Sequence, residues 1–374
     1  MPTDCVLDFL LVQLAEELQI PSGTRQEVED HYQAIADIIS RGRLRGADIR
    51  VYPQGSAALG TTVKPVRKDE FDLDVVVQVG DANVLGPEWL NDAVFADIES
   101  HGRYKDKTER LPRCLRISYA GRFHLDVVPA IPDRLRGGTA LLIPSADDEN
   151  ATWRRANPLA YRGWFKGRSS FALGLKDASV SPLPLPEPAR SKSALQIVVQ
   201  LLKRHHQYHL HDESLRTPSV VLTTIAAAAA VAYNSVAEAF DAGLRAVSLY
   251  AAMREPISIP DPAVPDAVVN EKWGDRPEVF QAFKRQVALL FQQWSDLRVS
   301  AGQGVDGLST GLAEMFGEEP VNRAVKAYGS AMSASLKSGR VATGAGGILM
   351  PSVSSRPPNP QHEFYGDATE SWAD

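Results

Sequence analysis

The sequence predicts an α+β chain in two units, an α/β half over residues 1–185 and a helical half over 186–374. Three observations predict it. Short β-type runs with one intervening amphipathic helix dominate up to residue 130. A proline-rich connector at 173–190, containing SPLPLPEP, then breaks the pattern. Beyond it, apolar residues recur at helical spacing.

Over 3–18, Val6, Phe9, Leu10 and Leu14 fall on one helical face. A second helix opens at Ser22 and carries Tyr32, Ile35, Ile38 and Ile39 to Arg41-Gly42. Strand signals follow at 49–52, 71–79, 114–119 and 122–129, the last two separated by Ala120-Gly121 at hairpin spacing. Between the second and third, residues 87–100 read as a helix with Trp89, Leu90, Val94, Phe95 and Ile98 apolar. After the connector, helices are predicted at 193–209, 218–234 and 277–293, with at least one more in 317–337. From Gly344 the composition is that of an irregular strap. No internal repeat is evident.

Composition narrows the function. The 374 residues are 44% hydrophobic and 23% charged, with a net charge of −6. That balance disfavours an extended duplex nucleic-acid surface. The basic clusters at 41–50 and 103–116 are interleaved with acids and read as solvated faces. The two cysteines, Cys5 and Cys114, do not suggest a disulfide framework or a four-ligand zinc site and read as buried thiols in a reducing compartment. The start of the chain lacks a secretory pattern, and the most apolar run, 220–232, is too short to span a bilayer. The expectation is a cytoplasmic monomer without a membrane partner.

The chemistry is concentrated in FDLDVVV and RFHLDVVPA. Side chains alternate along a strand, so Asp72 and Asp74 share one face while Leu73 and Val75 point the other way. The same parity puts His124 and Asp126 on one face of the later strand. Neighbouring strands would bring three carboxylates together. With ordinary pKa values of about 4, all three would be ionised and would demand positive charge. Two Mg²⁺ ions about 4 Å apart supply it and clamp both oxygens of an in-line phosphoryl displacement. The plainer reading of Asp-x-Asp, a solvated strand face, is opposed by the apolar VVV that follows.

Upstream, YPQGS places Gly55-Ser56 after a strand and before small residues. Glycine permits close backbone approach to a phosphate, and serine offers a hydroxyl at a helix start; a simple serine-capped turn is the plainer alternative. Together, Gly-Ser, Asp-x-Asp and a distant Asp resemble the polymerase β-like nucleotidyltransferase superfamily. YPQGS, FDLDVVV and FHLDVVPAIP, extended by WRRANPLAYRGWF, SALQIVVQLLKRH, TPSVVLTTIAA and VVNEKW, resemble more narrowly the bacterial cGAS/DncV-like nucleotidyltransferases of antiphage signalling. Fifteen residues separate Ser56 from Asp72, longer than the superfamily usually shows.

The resemblance implies a polymerase β-like core plus a helical lobe of oligoadenylate-synthetase type, joining nucleoside triphosphates into a cyclic di- or trinucleotide. It implies that Asp72, Asp74 and Asp126 ligate two Mg²⁺ ions, with Mn²⁺ as a substitute, and that Asp126 helps deprotonate the acceptor hydroxyl. Gln54, Gly55 and Ser56 would hold the donor triphosphate, joined by Lys203 and Ser219 from the helical lobe. Regulatory or effector proteins are implied as further partners. Lys203 otherwise reads as a solvated lysine at the polar edge of its helix. A linear-product or RNA-tailing enzyme shares every acid; a silent nucleotide sensor normally lacks one. In KRHHQYHLHDE, His205 and His209 are four apart on one helical face, but His205, His206, His209 and His211 are expected at an exposed helix end rather than on a metal. Trp153, Asn157, Tyr161 and Trp164 are candidates for a base pocket or for packing at the lobe junction.

Overall fold

The computed structural model describes residues 2–20, 22–66, 71–80, 86–119, 123–146, 151–169, 192–300, 304–337, 341–343 and 349–351. Two helices, α1 (Pro2–Glu17) and α2 (Ser22–Arg41), lead into a sheet. Its strands are β1 (Asp48–Pro53), β2 (Phe71–Gly80), β3 (Thr108–Arg110), β4 (Leu115–Tyr119), β5 (Phe123–Pro132), β6 (Leu141–Ser145) and β7 (Thr152–Ala156). Helices α3 (Gly55–Leu59), α4 (Pro87–Ser100) and α5 (Pro158–Ser169) complete this lobe.

The sheet runs β1-β2-β5-β4-β3, with β6 joined to β5 and β7 to β6. Among the described strands only β2 and β5 pair in parallel, as the intervening α4 crossover allows. Leu73, Val75, Val77, Leu125 and Val127 are buried together beneath α2 and α4, with Ile35, Leu90, Val94 and Phe95 closing the layer. One face of the central strands is thus committed to the core, and the other faces a cleft.

The helical lobe comprises α6 (Ala194–His209), a 3₁₀ turn at Glu213–Leu215, α7 (Ser219–Ala228), α8 (Val236–Ala251), α9 (Glu271–Asp275), α10 (Pro277–Ser300), α11 (Val305–Phe316) and α12 (Glu318–Lys337). Although α1 comes first in the chain, its Leu7, Leu10, Leu11 and Leu14 belong to this lobe's core with Phe240, Phe283 and Phe316.

Four readings need correction. The helix expected to run to 234 ends at Ala228, because Ser235 starts α8 by accepting from the Glu238 amide. Helix α10 continues to Ser300 rather than stopping at 293, with Trp294 and Leu297 still buried on its inner face. The strap from 344 includes a strand, β9 (Leu349–Pro351), paired antiparallel with β8 (Val341–Thr343). Cys5 is exposed, whereas Cys114 is buried, and burial pushes its thiol up to about 12. Helices α8 and α11 and strands β3, β6 and β7 were not anticipated. The connector at 173–190, the division at 185/186 and the Ala120-Gly121 turn lie outside the described residues. None of the described helices is long and apolar enough to cross a membrane.

Candidate active site

The floor of the cleft is set by strand register. Across the parallel pair, Asp74 lies opposite Asp126 and Asp72 opposite His124. Across the antiparallel pair, Arg116 of β4 lies opposite Asp126. Because Leu73, Val75, Leu125 and Val127 point into the core, the three acids, His124 and Arg116 all line the cleft. The predicted convergence of Asp72, Asp74 and Asp126 is therefore present.

Arg116 is seated among them. Its Nε and Nη2 donate to Asp126 Oδ1 and Oδ2 at 2.8 and 2.7 Å, and Nη2 stands 3.1 Å from Asp72 Oδ1. The basic cluster at 103–116, expected as a solvated face, thus contributes one member to the site. One guanidinium does not neutralise three acids. Burial, reinforced by the Asp126 and Asp72 carboxylates, raises Asp74 to about 7. Asp72 is also raised, by its enclosure in the cleft first; Arg116 opposes the shift and Asp126 adds to it.

The Gly-Ser turn is tied to this floor. The Gln54 amide donates to the Asp74 carbonyl at 2.9 Å. Gly55 has φ of 58°, and a Cβ there would stand 2.5 Å from Asp74 Oδ2. Glycine is required by the left-handed backbone and by the carboxylate beside it. Ser56 Oγ accepts from Thr62 Oγ1 at 3.3 Å and, with Gln54 and Gly55, lines the cleft.

The roof comes from α6, whose Ser193 caps the helix in a reciprocal capping box with Gln196. Four donors from this segment reach the loop that follows α3. Gln196 Nε2 donates to the Leu59 carbonyl at 2.9 Å, Lys192 Nζ to Gly60 at 2.9 Å, Lys203 Nζ to Thr61 at 3.0 Å, and Gln200 Nε2 to Thr62 at 2.8 Å. Consecutive carbonyls from Leu59 to Thr62 are thus held by α6 and by Lys192 just before its cap. Lys203 is buried rather than solvated at a polar edge, because its amine enters this clasp. Burial lowers its pKa to about 8, and the nearby Asp74 pulls it back upward.

Ser219, the first residue of α7, lines the same cleft, as does Lys203. His205 and His206 are not part of an exposed helix end: both are buried, His205 Nε2 meets Gln293 Oε1 at 2.9 Å, and His206 Nε2 accepts from the Thr217 amide at 3.1 Å. By contrast His209, the last residue of α6, is half-buried and His211 is exposed. Of the aromatic candidates, Tyr161 lines the cleft beside Asn157, while Trp153 and Trp164 pack against the cores of the two lobes. Arg155, Glu213, Arg216 and Asp261 also line it and were missed. Arg116 was detectable in principle, as an arginine alternating with buried Leu115 and Ile117 in a strand next to β5. The other four sit on segments without a periodic signal. The cleft encloses about 660 Å³, within the usual range for small-ligand sites.

Asp72, Asp74 and Asp126 offer only oxygen ligands, which suits a hard divalent ion. The upward shift of Asp74 and the cation already lodged at Asp126 both mark a site that favours positive charge. Among the described residues no three His, Cys, Asp or Glu groups close around a single point, since Asp126 is turned onto the Arg116 fork. The donor set fits Mg²⁺, provided those side chains adjust.

Residues 8–168 match the Second Messenger Oligonucleotide or Dinucleotide Synthetase domain. The chain is 28% identical over 371 residues to a c-di-GMP synthase of Roseivirga ehrenbergii, covering 96% of this chain and 97% of the relative. It is 28% identical over 375 residues to the cyclic dinucleotide synthase CdnG of Bradyrhizobium diazoefficiens, covering 93% and 89%. The solved structure of CdnG from Bradyrhizobium diazoefficiens in complex with GTP superimposes with a TM-score of 0.70 at 29% identity, over 86% of this chain and 99% of that one. The Vibrio cholerae cyclic AMP-GMP synthase DncV, at 16% identity and a TM-score of 0.54 over 85% and 89% of the chains, shares the fold. With this domain over residues 8–168, this architecture and these acids in register, the chain is similar along most of its length to the cGAS/DncV-like nucleotidyltransferases.

Proposed function

We propose that this enzyme joins two molecules of GTP into a cyclic dinucleotide, by two successive attacks of a ribose hydroxyl on an α-phosphate. In each, a new ribose O–P bond forms, the bond to the β-phosphate breaks, and pyrophosphate leaves. The observation that carries the reading is the register of Asp74 against Asp126, with Gly55 abutting the Asp74 carboxylate. It brings the acids of two strands and the phosphate-type turn to one face of the cleft.

Enzymes of this family use divalent ions. Asp72, Asp74 and Asp126 are the residues to hold two Mg²⁺ ions, with Mn²⁺ as a substitute. When bound, such ions polarise the α-phosphate and acidify the attacking hydroxyl. Asp126 is assigned to receive the acceptor proton. Gln54, Gly55 and Ser56 are assigned to the donor triphosphate, with Lys203 as a point charge above it and Ser219 as a hydroxyl donor. Lys203 is bonded to the Thr61 carbonyl but has two further N–H groups for phosphate oxygens.

Guanine is favoured on two counts. The named relatives include a c-di-GMP synthase and a synthase solved with GTP. The cleft also carries Arg155 and Asp261. Guanine presents O6 and N7 acceptors to an arginine fork and N–H donors to a carboxylate, whereas adenine replaces O6 with a donor. A diffusible cyclic product implies an effector protein that binds it, in keeping with antiphage signalling.

Incubation of the full chain with labelled ATP, GTP, CTP and UTP, singly and in pairs, with Mg²⁺ or Mn²⁺, tests this. GTP alone should yield a phosphatase-resistant product with the mass of two GMP units less two waters. A phosphatase-sensitive linear product would refute ring closure, and no product from any nucleotide would refute the reading as a whole.

A further inference from the structure

Arg116 has the geometry of a competitor for the metal site. It sits in β4 between fully buried Leu115 and Ile117, so its side chain has only the acidic face to occupy, where it remains 26% exposed. Both oxygens of Asp126 accept from its fork, and the same Nη2 reaches Asp72. A divalent ion at Asp72 and Asp126 needs those oxygens. A planar guanidinium in bidentate contact is the strongest organic occupant such a carboxylate can have, and a lysine does not reproduce its fork.

We propose that Arg116 is a positioning residue that holds Asp126 and Asp72 against the divalent ion, and so sets the ion concentration at which the site loads. Loading requires the guanidinium to give up at least one Asp126 oxygen. The arrangement also explains why the three acids, although in register, do not close around one point. Without a cation among them, Asp74 and Asp126 would face each other directly across paired strands. Arg116 therefore supports the fold where it weakens metal binding. Its removal should move stability and metal affinity in opposite directions, which a merely structural residue would not do.

The inference rests on the triad's proposed divalent role. The test is Mn²⁺ binding to the full chain, read by paramagnetic resonance without nucleotide, in the wild type, Arg116→Gln and Arg116→Lys. Arg116→Gln should bind Mn²⁺ about tenfold more tightly, the equivalent of one charge-assisted contact, with Arg116→Lys in between. After chelation, Arg116→Gln should melt below the wild type, and Mn²⁺ should narrow the gap. A folded Arg116→Gln that binds Mn²⁺ no more tightly than the wild type overturns the inference. If that variant does not fold, wild-type affinity in Arg116→Lys overturns it, since the charge is kept and the fork is lost. A wild type that makes product while Arg116→Gln gains no affinity refutes this inference alone. Failure of all three forms to bind Mn²⁺, with or without GTP, refutes the metal assignment beneath it.

Discussion

On the floor of the cleft, Asp72, Asp74 and Asp126 are placed by strand register; on its roof, Lys192, Gln196, Gln200 and Lys203 are placed by donating to the carbonyls of residues 59–62. Floor residues are fixed by backbone ladders that their own side chains do not help to form. Roof residues are fixed by the side chains themselves. Substitution on the floor should therefore remove chemistry and leave the fold, whereas substitution on the roof should loosen the structure and alter chemistry only indirectly, except at Lys203, which is also assigned to the donor phosphates.

The largest effect tests the floor. Asp74→Asn should reduce product formation by at least about 10³-fold, at or beyond the upper end of what one lost electrostatic contact costs. It should also raise the melting temperature of chelated protein, because it removes a carboxylate that burial and two neighbouring acids disfavour. Turnover assays and thermal melts read both. A variant that loses stability along with activity would place Asp74 among the structural residues and erase the distinction.

Gly55 joins the two regions, since its turn begins against Asp74 and ends in the clasp. Gly55→Ala meets both a left-handed backbone, costing about 1–2 kcal/mol, and a carboxylate oxygen 2.5 Å from the new Cβ. Displacing a catalytic group by about 1 Å can cost 10²-fold in rate, so activity should fall by roughly that factor with a modest drop in stability. Near-wild-type turnover would show that the turn does not govern where the Asp74 carboxylate sits.

The roof should respond more mildly. Gln200→Ala leaves the Thr62 carbonyl without its donor and should destabilise by about 1–2 kcal/mol in denaturant unfolding, with kcat within a few-fold of wild type. Lys203→Met should raise the KM for GTP about tenfold, the loss of one charge-assisted phosphate contact. A KM unchanged in Lys203→Met would leave the lysine with its Thr61 contact alone.

The contrast also accounts for what could be read in advance. Parity in FDLDVVV and FHLDVVPA gave the acidic face, because a strand with one buried face leaves its other residues one place to point. The buried side of β2 and β5 and helix α4 were legible for the same reason. The clasp was not: its acceptors are backbone carbonyls, which carry no residue signature, and its donors look like the solvated edge of an amphipathic helix. Buried His205 and His206 were misjudged on that same edge, because their partners Gln293 and Thr217 lie on other segments. Arg155 and Asp261 come from a short strand and an irregular segment, and only the closed fold brings them to the cleft.

The smallest predicted effect separates floor from roof by pH. Asp74 titrates near 7 in the native protein and at about 4 in the unfolded chain. Between those values the native state holds the extra proton, so stability contributed by this group is present at low pH and is lost as pH rises toward 7. Chelated protein should accordingly melt lower at pH 8 than at pH 6. Mg²⁺ requires the ionised carboxylate, so it should raise the melting temperature more at pH 8 than at pH 6, by about 1 °C for each kcal/mol of added stabilisation in a chain of this size. In Asp74→Asn the pH dependence of the Mg²⁺ increment should shrink, while Gln200→Ala, altered only on the roof, should keep it. An increment equal at both pH values in the wild type would mean that the proton on Asp74 and the divalent ion do not compete for the same oxygens.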